Sequence, residues 1–248
     1  MRLLPNVYQV AGNMYGSYQN IFVIEAESFL ILVDTGFGQK DRELIFKNIQ
    51  RFHLQNKPVR YVLLTHEHIE HVFNGKWFQD NGAKIIAHES AANAIIRGGY
   101  SIGSYRFPEA SFETFEADMK VRDGDVLDLE GIQVKVIHTP GHSDGSVFYQ
   151  LHINDVDVVF SGDTILLEEL CHKVRFGWTG GFDYDEEKFI ETMKKISTMN
   201  AEVLLPGHGE VCLYHAYREF FGAWLRCRLD IVNNHNRHPL KVEESLCR

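Results

Sequence analysis

The stretch that decides the reading is Thr65-His66-Glu67-His68-Ile69-Glu70-His71. Three histidines and two carboxylates fall directly after the apolar run Tyr61-Val62-Leu63-Leu64. Imidazole is the commonest metal-binding side chain, and carboxylates are the usual partners for hard or borderline divalent cations. A strand that stops at such a cluster delivers its ligands from a loop held by a rigid scaffold, where active sites tend to sit.

Outward from this stretch, apolar runs alternate with helical patterns. Val7–Val10, Ile21–Ile24, Phe29–Val33 and 59–65 read as strands, with a helix over 39–53 between the last two. A short helix over 70–79, a strand over 84–87 and a helix over 89–97 follow. Residues 100–116 have no clear period and hold Tyr100, Tyr105, Phe107, Phe112 and Phe115; long irregular segments in compact domains are often lids or binding loops. A second run of strands covers 125–129, 132–137, 146–151 and 156–160. Then come a helix over 185–199, a strand over 201–205 and a last helix over 213–232. Strands then helices, twice over, predict an α/β (α+β) chain built as an αββα sandwich: two mixed sheets face to face, helices on the outer faces. No linker shows a composition shift, so 1–248 reads as one domain, with the polar tail 233–248 open to fraying.

Composition narrows the function classes. The apolar fraction of 44% supports a sizeable core, and the net charge of −9 argues against a surface built for nucleic acid or anionic membrane. Cys171, Cys212, Cys227 and Cys247 are far apart and show no CxxC spacing. No run approaches the ~20 apolar residues that span a bilayer, and Met1–Pro5 lead into polar sequence rather than a secretory core. The expectation is a cytoplasmic protein with free thiols and a small-molecule substrate.

Four more candidates fall at strand ends. These are Asp34-Thr35-Gly36, Thr139-Pro140-Gly141-His142, Ser161-Gly162-Asp163-Thr164 and Pro206-Gly207-His208-Gly209. Each is an apolar strand, a glycine-bearing turn and a polar residue free to project into a common mouth. With HxHxEH at 66–71 and LPGHG at 205–209, the set resembles the metallo-β-lactamase-fold hydrolases over about residues 7 to 225.

That resemblance implies two metal sites. His66, His68 and His142 would hold one ion, Glu70, His71 and His208 the other, and Asp163 would bridge them. The ions would be zinc, with iron or manganese as alternatives, and a hydroxide between them would be the nucleophile. Glu70 and Asp163 are the candidate catalytic carboxylates. Glu70 departs from the family's usual aspartate: it is one methylene longer, reaching about 1.5 Å further, while metal–oxygen bonds tolerate only about 0.2 Å. Either the backbone compensates, or the second site moves, weakens or selects another metal. Asp34 reads as a brace for the loop, and His88 as structural or pocket-lining. His53, His152, His215, His235 and His238 read as surface residues, and the roles of Cys171 and His172 stay open.

Gly177-Trp178-Thr179-Gly180-Gly181 before a helix, then LPGHG, resembles the glyoxalase II-like and lactonase-like branches. Too little chain follows His208 for the helical glutathione-binding domain of true glyoxalase II. The expected activity is hydrolysis of an ester-like bond, a thioester or lactone. The alternatives are an iron-dependent persulfide dioxygenase-like enzyme and a non-catalytic metal-binding module for sensing or partner binding. The aromatics of 100–115, with Phe176 and Trp178, read equally as an acyl or lactone pocket or as core. The last helix, with Phe220, Phe221 and Trp224, either covers the core or forms a homodimer face.

Overall fold

A computed structural model describes residues 1–168 and 173–237, with the side chains of the last helix through Ile231. Strands β1 (Arg2–Leu4), β2 (Val7–Ala11), β3 (Ile21–Glu25) and β4 (Leu30–Val33) pair antiparallel in succession. Helix α1 (Gly38–Arg51) carries the chain back, so β5 (Val59–Leu63) lies parallel to β4. Helices α2 (Ile69–Val72) and α3 (Gly75–Asp80) precede β6 (Lys84–His88), and α4 (Glu89–Arg97) precedes β7 (Met119–Val121); both strands extend the sheet in parallel.

The second sheet begins with β8 (Val126–Leu129), β9 (Ile132–His138), β10 (Val147–Ile153) and β11 (Val156–Gly162), all antiparallel. A two-stranded sheet of β12 (Leu166–Glu168) and β13 (Lys173–Arg175) follows. Helix α5 (Glu186–Ile196) then returns the chain to β14 (Val203–Pro206), parallel to β11, and α6 (Tyr217–Arg237) lies beyond it. The expected αββα sandwich of two mixed sheets is borne out.

Side-chain alternation builds the layers. On β4, Ile31 and Val33 enter the space between the sheets, while Leu30 and Leu32 face the layer of α1 and α4. On β10 and β11, Val147, Tyr149, Val158 and Phe160 turn inward, while Phe148 and Val159 meet α5 and α6. Strands covered on both faces need apolar residues at every position, hence their continuous apolar runs. Each fully buried Val, Leu, Ile or Phe is worth about 1.5–3 kcal/mol. An exposed pair such as Arg60–Glu130 is worth about 0–1 kcal/mol, so the sandwich layers dominate stability.

Three expectations are corrected. The helix expected over 70–79 is broken at Phe73–Asn74, because Asn74 Nδ2 donates to Thr35 O (2.9 Å), Gly36 O (3.3 Å) and Gly38 O (3.0 Å), tying the helix joint to the turn after β4. β1, β7, β12 and β13 are three residues each, too short to show alternation in sequence. The last helix starts at Tyr217 rather than 213, because Cys212 bonds back to Leu204 beside β14. It continues through Arg237, and the rest of the expected tail, with His238 and Cys247, lies outside the described residues.

His88 ends β6 and caps α4, its Nδ1 accepting from Ser90 N–H (3.3 Å), and its ring stacks on His138 at 4.0 Å. Burial, reinforced by the neighbouring His138, lowers the His88 pKa to about 4. Glu89 and Asp123 pull it the other way, and Arg122 adds to the lowering. Unfolded chain takes up this proton near pH 6.5 and folded chain only near 4. Stability therefore falls as pH drops through that window, by about 1.4 kcal/mol per unit from this group. Urea unfolding between pH 7 and 4.5 should show the loss, and His88→Asn, which keeps a capping acceptor, should make it shallower by one group's share, with the buried His66 and His142 keeping the rest; an equal pH slope in the variant would remove His88 as a cause.

Candidate metal centre

Five strand ends meet at one edge of the sandwich. Asp34 follows β4, the histidine loop follows β5, His142 lies in the turn after β9, Asp163 follows β11 and His208 follows β14. Backbone bonds lace the turns together: Val147 N donates to Thr65 O (2.9 Å), Gly207 N to Gly162 O (2.8 Å) and Thr35 N to His71 O (2.8 Å). Gly207 is needed here. A Cβ at this position would overlap Asp163 Oδ1 and lie 2.9 Å from His71 Cε1.

The structure brings all seven candidate ligands together, all buried. Ligand atoms of His66, His68 and His142 lie within 4.8 Å of one another, as do those of His66, His71 and Asp163, and those of Glu70, His71 and His208. His68 Nδ1 is 3.0 Å from His142 Nε2, and His71 Nε2 is 3.2 Å from His208 Nε2. Asp163 sits between the groups, with Oδ1 3.5 Å from His71 Nε2 and Oδ2 3.3 Å from His208 Nε2 and 3.8 Å from His142 Nε2. His66 Nε2 and Asp163 Oδ1 are buried without a hydrogen-bond partner. Buried polar atoms are nearly always paired, so two lone-pair donors facing each other's group fit a cation. Imidazole nitrogen with carboxylate oxygen is a donor set suited to zinc or another first-row divalent metal.

Four of the five rings have a partner on the far nitrogen, with Thr65 Oγ1 standing 3.1 Å from His66 Nδ1, whereas His142 Nδ1 is buried without one. Asp34 accepts from Thr65 N (2.8 Å) and Thr65 Oγ1 (2.8 Å), and pairs with His71 Nδ1 at 3.0 Å, so the expected brace is in place and also fixes a ring. His208 Nδ1 bonds to Tyr18 O (2.9 Å), and His68 Nε2 to Asp183 Oδ2 (2.7 Å). Such outer partners set which ring nitrogen faces the metal. Glu67 is also buried and takes no place among the candidate ligand groups. Its carboxylate accepts from Ser143 Oγ (2.9 Å) and Gly145 N (3.1 Å), pinning the histidine loop to the His142 turn.

Electrostatics divide the cluster. Burial, then the charge of His71, holds the His66 pKa well below its usual value; burial, then His68, lowers His142 to about 3. Both are neutral near pH 7, with lone pairs available. At His71 burial opposes the cation, but the Asp163 and Asp34 carboxylates outweigh it and raise the pKa well above the usual imidazole value. Burial likewise opposes the Asp163 anion, yet the His208 and His71 charges hold its pKa well down.

Arg106, Asp183 and Glu67 are residues that the sequence reading missed. Arg106 Nη2 donates to Glu70 Oε2 at 2.8 Å. Arg106 and Asp183 sit singly in irregular stretches with no motif, and only Glu67 carried a signal, its place inside the histidine cluster. The aromatics separate into two sets. Phe107, Phe112 and Phe115 pack on the core beneath the first sheet, and Phe176 on that beneath the second. Tyr100, Tyr105, Trp178 and Phe182 form a partly exposed cluster at the mouth, with ring centroids 5.3–6.2 Å apart. Beside it a cleft of about 420 Å³ is lined by Tyr18, Leu166, Leu167, Phe176, Trp178 and His208, together with the polar Asn13, Glu168, Arg175 and Glu210. Cys171 and His172 lie outside the described residues; Cys212 and Cys227 are buried, and Cys212 Sγ donates to Tyr214 O (3.2 Å).

An αββα sandwich with a buried histidine–carboxylate cluster at one edge is the architecture of a metallo-enzyme. The sequence profile of the metallo-beta-lactamase superfamily matches residues 14–208, and the chain belongs to that superfamily. The expectation of a hydrolase of this superfamily is borne out. The chain is 27% identical over 213 residues to an atrochrysone carboxyl ACP thioesterase of Aspergillus fumigatus, covering 84% of this chain and 58% of that protein. It is 25% identical over 214 residues to the human acyl-coenzyme A thioesterase MBLAC2, covering 78% and 74%. Among solved structures, the subclass B3 metallo-beta-lactamase BJP-1 of Bradyrhizobium japonicum superposes with a TM-score of 0.74 at 19% identity, covering 98% of this chain and 95% of that one. No helix among the described residues is long and apolar enough to cross a membrane.

Gly207→Ala tests the close approach, because the glycine's backbone is not in the left-handed region and the methyl group acts by sterics alone. The variant should fold and lose at least about tenfold in divalent-metal affinity by equilibrium dialysis, the usual scale for disturbing a ligand's support. Unchanged affinity would show that the turn yields without moving Asp163 or His71.

Proposed function

We propose that the protein hydrolyses thioesters of apolar acyl groups with two divalent ions, zinc being the expected metal. His66, His68 and His142 would hold one ion, and Glu70, His71 and His208 the other, with Asp163 shared. The observation that carries this reading is the convergence of six side chains with Asp163 in three overlapping groups, with His66 Nε2 and Asp163 Oδ1 unpartnered. When bound, such a metal pair supplies a water of lowered pKa and a Lewis acid for the substrate carbonyl.

The chain's own residues do the rest. His66 and His142 stay neutral through burial, and Asp34, Asp183 and the Tyr18 carbonyl hold the other rings in register. Trp178, Tyr105 and Phe182 offer an apolar wall at the mouth for an acyl chain, and Leu166, Leu167 and Phe176 extend it into the adjoining cleft, beside the polar Asn13, Glu168, Arg175 and Glu210. A thiolate, with a thiol pKa of about 8.5, departs without a proton, whereas an alkoxide needs one. The two thioesterases among the relatives support the same choice.

Elemental analysis should find two metal equivalents. A panel of acyl-CoA thioesters, lactones, simple esters and a β-lactam should show thioesters turned over best. Chelation should stop the reaction, Zn²⁺ or Mn²⁺ should restore it, and His66→Ala should lower kcat/KM by at least about a hundredfold. Full activity in metal-free His66→Ala protein would sink the reading, and oxygen uptake with glutathione persulfide on iron-loaded protein would move it to redox chemistry. Trp178→Ala should raise KM for long acyl chains over acetyl on the order of tenfold; an equal effect on both would take the acyl chain off that wall.

A further inference from the structure

Glu70 is buried, yet its partner is neither another ligand nor the backbone. Arg106 Nη2 donates to Glu70 Oε2 at 2.8 Å, reaching in from a segment 36 residues further along the chain. At the same time a Glu70 oxygen lies within 4.8 Å of ligand nitrogens of His71 and His208. The carboxylate is therefore shared between a fixed cation and the second ligand group.

The guanidinium packs between two rings, although its Nε is buried without a hydrogen-bond partner. Its carbon lies 5.1 Å from the Trp178 ring centroid and 5.5 Å from that of Phe107. Beneath it is Gly103, in the left-handed region at φ 68°, where an added Cβ would come within 3.0 Å of Nη2 and 3.2 Å of Nε. A cation held on three sides can orient a carboxylate, whereas a mobile surface arginine cannot.

Glutamate needs such help. Its carboxylate hangs on three torsions, so a buried glutamate has more ways than aspartate to miss a ligand position that tolerates only about 0.2 Å. We infer that Arg106 is a positioning residue for the second metal position: by holding Oε2, it takes up the extra methylene of Glu70 and leaves the carboxylate presented to the ion beside His71 and His208. Arginine suits the task because its guanidinium stays charged and packs on the neighbouring rings while one N–H fixes a single carboxylate oxygen. Trp178, which flanks Arg106, also belongs to the aromatic wall at the mouth, so the same contact ties the mouth to the metal position.

Two effects of Arg106 oppose each other. It orients an anionic ligand, which favours metal, and it places a positive charge near a cation, which disfavours it. The inference is that orientation wins, so removing the arginine weakens the second ion instead of tightening it.

The inference rests on the two-ion reading above, and zinc titration of the apo-protein separates the two. Wild type should take up two ions, and Arg106→Gln, which keeps a polar stem, should bind the first as before and the second at least tenfold more weakly. Arg106→Lys should recover part of that loss. Cobalt-substituted protein should show the change in its visible spectrum at the second equivalent alone, which a general packing defect would not produce. In a Glu70→Asp background, where the shorter carboxylate no longer reaches Arg106, adding Arg106→Gln should change second-ion affinity less than twofold. One ion in wild type would remove the two-ion reading and this inference with it. Two ions in wild type, with Arg106→Gln binding the second equally well or more tightly, would overturn the inference alone. So would a loss of the same size in the Glu70→Asp background.

Discussion

The contact on which the site depends is the Asp34 carboxylate. It stands at the end of β4, in a left-handed backbone conformation at φ 60° that aspartate tolerates better than most residues. From there it receives the Thr65 backbone N–H, the Thr65 hydroxyl and the His71 ring. One buried group thus ends a strand, fixes where the next strand releases its histidine loop, and sets which His71 nitrogen turns toward Asp163. Bonds to a charged group are roughly twice as strong as neutral ones, and here three converge with little water to weaken them.

Around that anchor, close approach and burial make the chemistry. The cluster sits where two sheets meet, so ligands from β5, β9, β11 and β14 arrive from both sides without any one segment bending far. Gly207 and Gly162 pass under Asp163 and Thr65 where a side chain would not fit. The same burial that costs a charged imidazole its stability keeps His66 and His142 neutral, which is the form a metal needs.

How much of this was legible in the sequence follows from locality. The strand runs, the outer helices and the motifs HxHxEH, TPGH, SGDT and LPGHG are contiguous, so the runs pointed to the sandwich and the motifs carried the family resemblance that implied the candidate ligands. The split of α2 from α3 was hidden, because Asn74 breaks the helix through bonds to a turn far behind it. The three-residue strands were hidden by their length. Arg106 and Asp183 were hidden most completely: each is a lone charged residue in an irregular stretch, and each gains meaning only from a partner 36 or 115 residues away. The irregular segment over 100–116 read as core or as pocket; Phe112 and Phe115 pack inward on the core, while Tyr100 and Tyr105 join the partly exposed ring cluster with Trp178 and Phe182.

The two halves of the cluster are therefore built on different physics. His66 and His142 depend for their neutral state on burial, which every residue of the sandwich helps to supply, and in that half only His68 leans on a discrete charged contact, Asp183. The Glu70, His71 and His208 half depends on discrete charged or polar contacts: Asp34 behind His71, Arg106 on Glu70, the Tyr18 carbonyl behind His208. Burial is distributed and resists single substitutions, whereas a discrete contact fails with one residue. The second half is thus the one a sequence can retune most cheaply. It is also the half where this chain places a glutamate and the arginine that holds it.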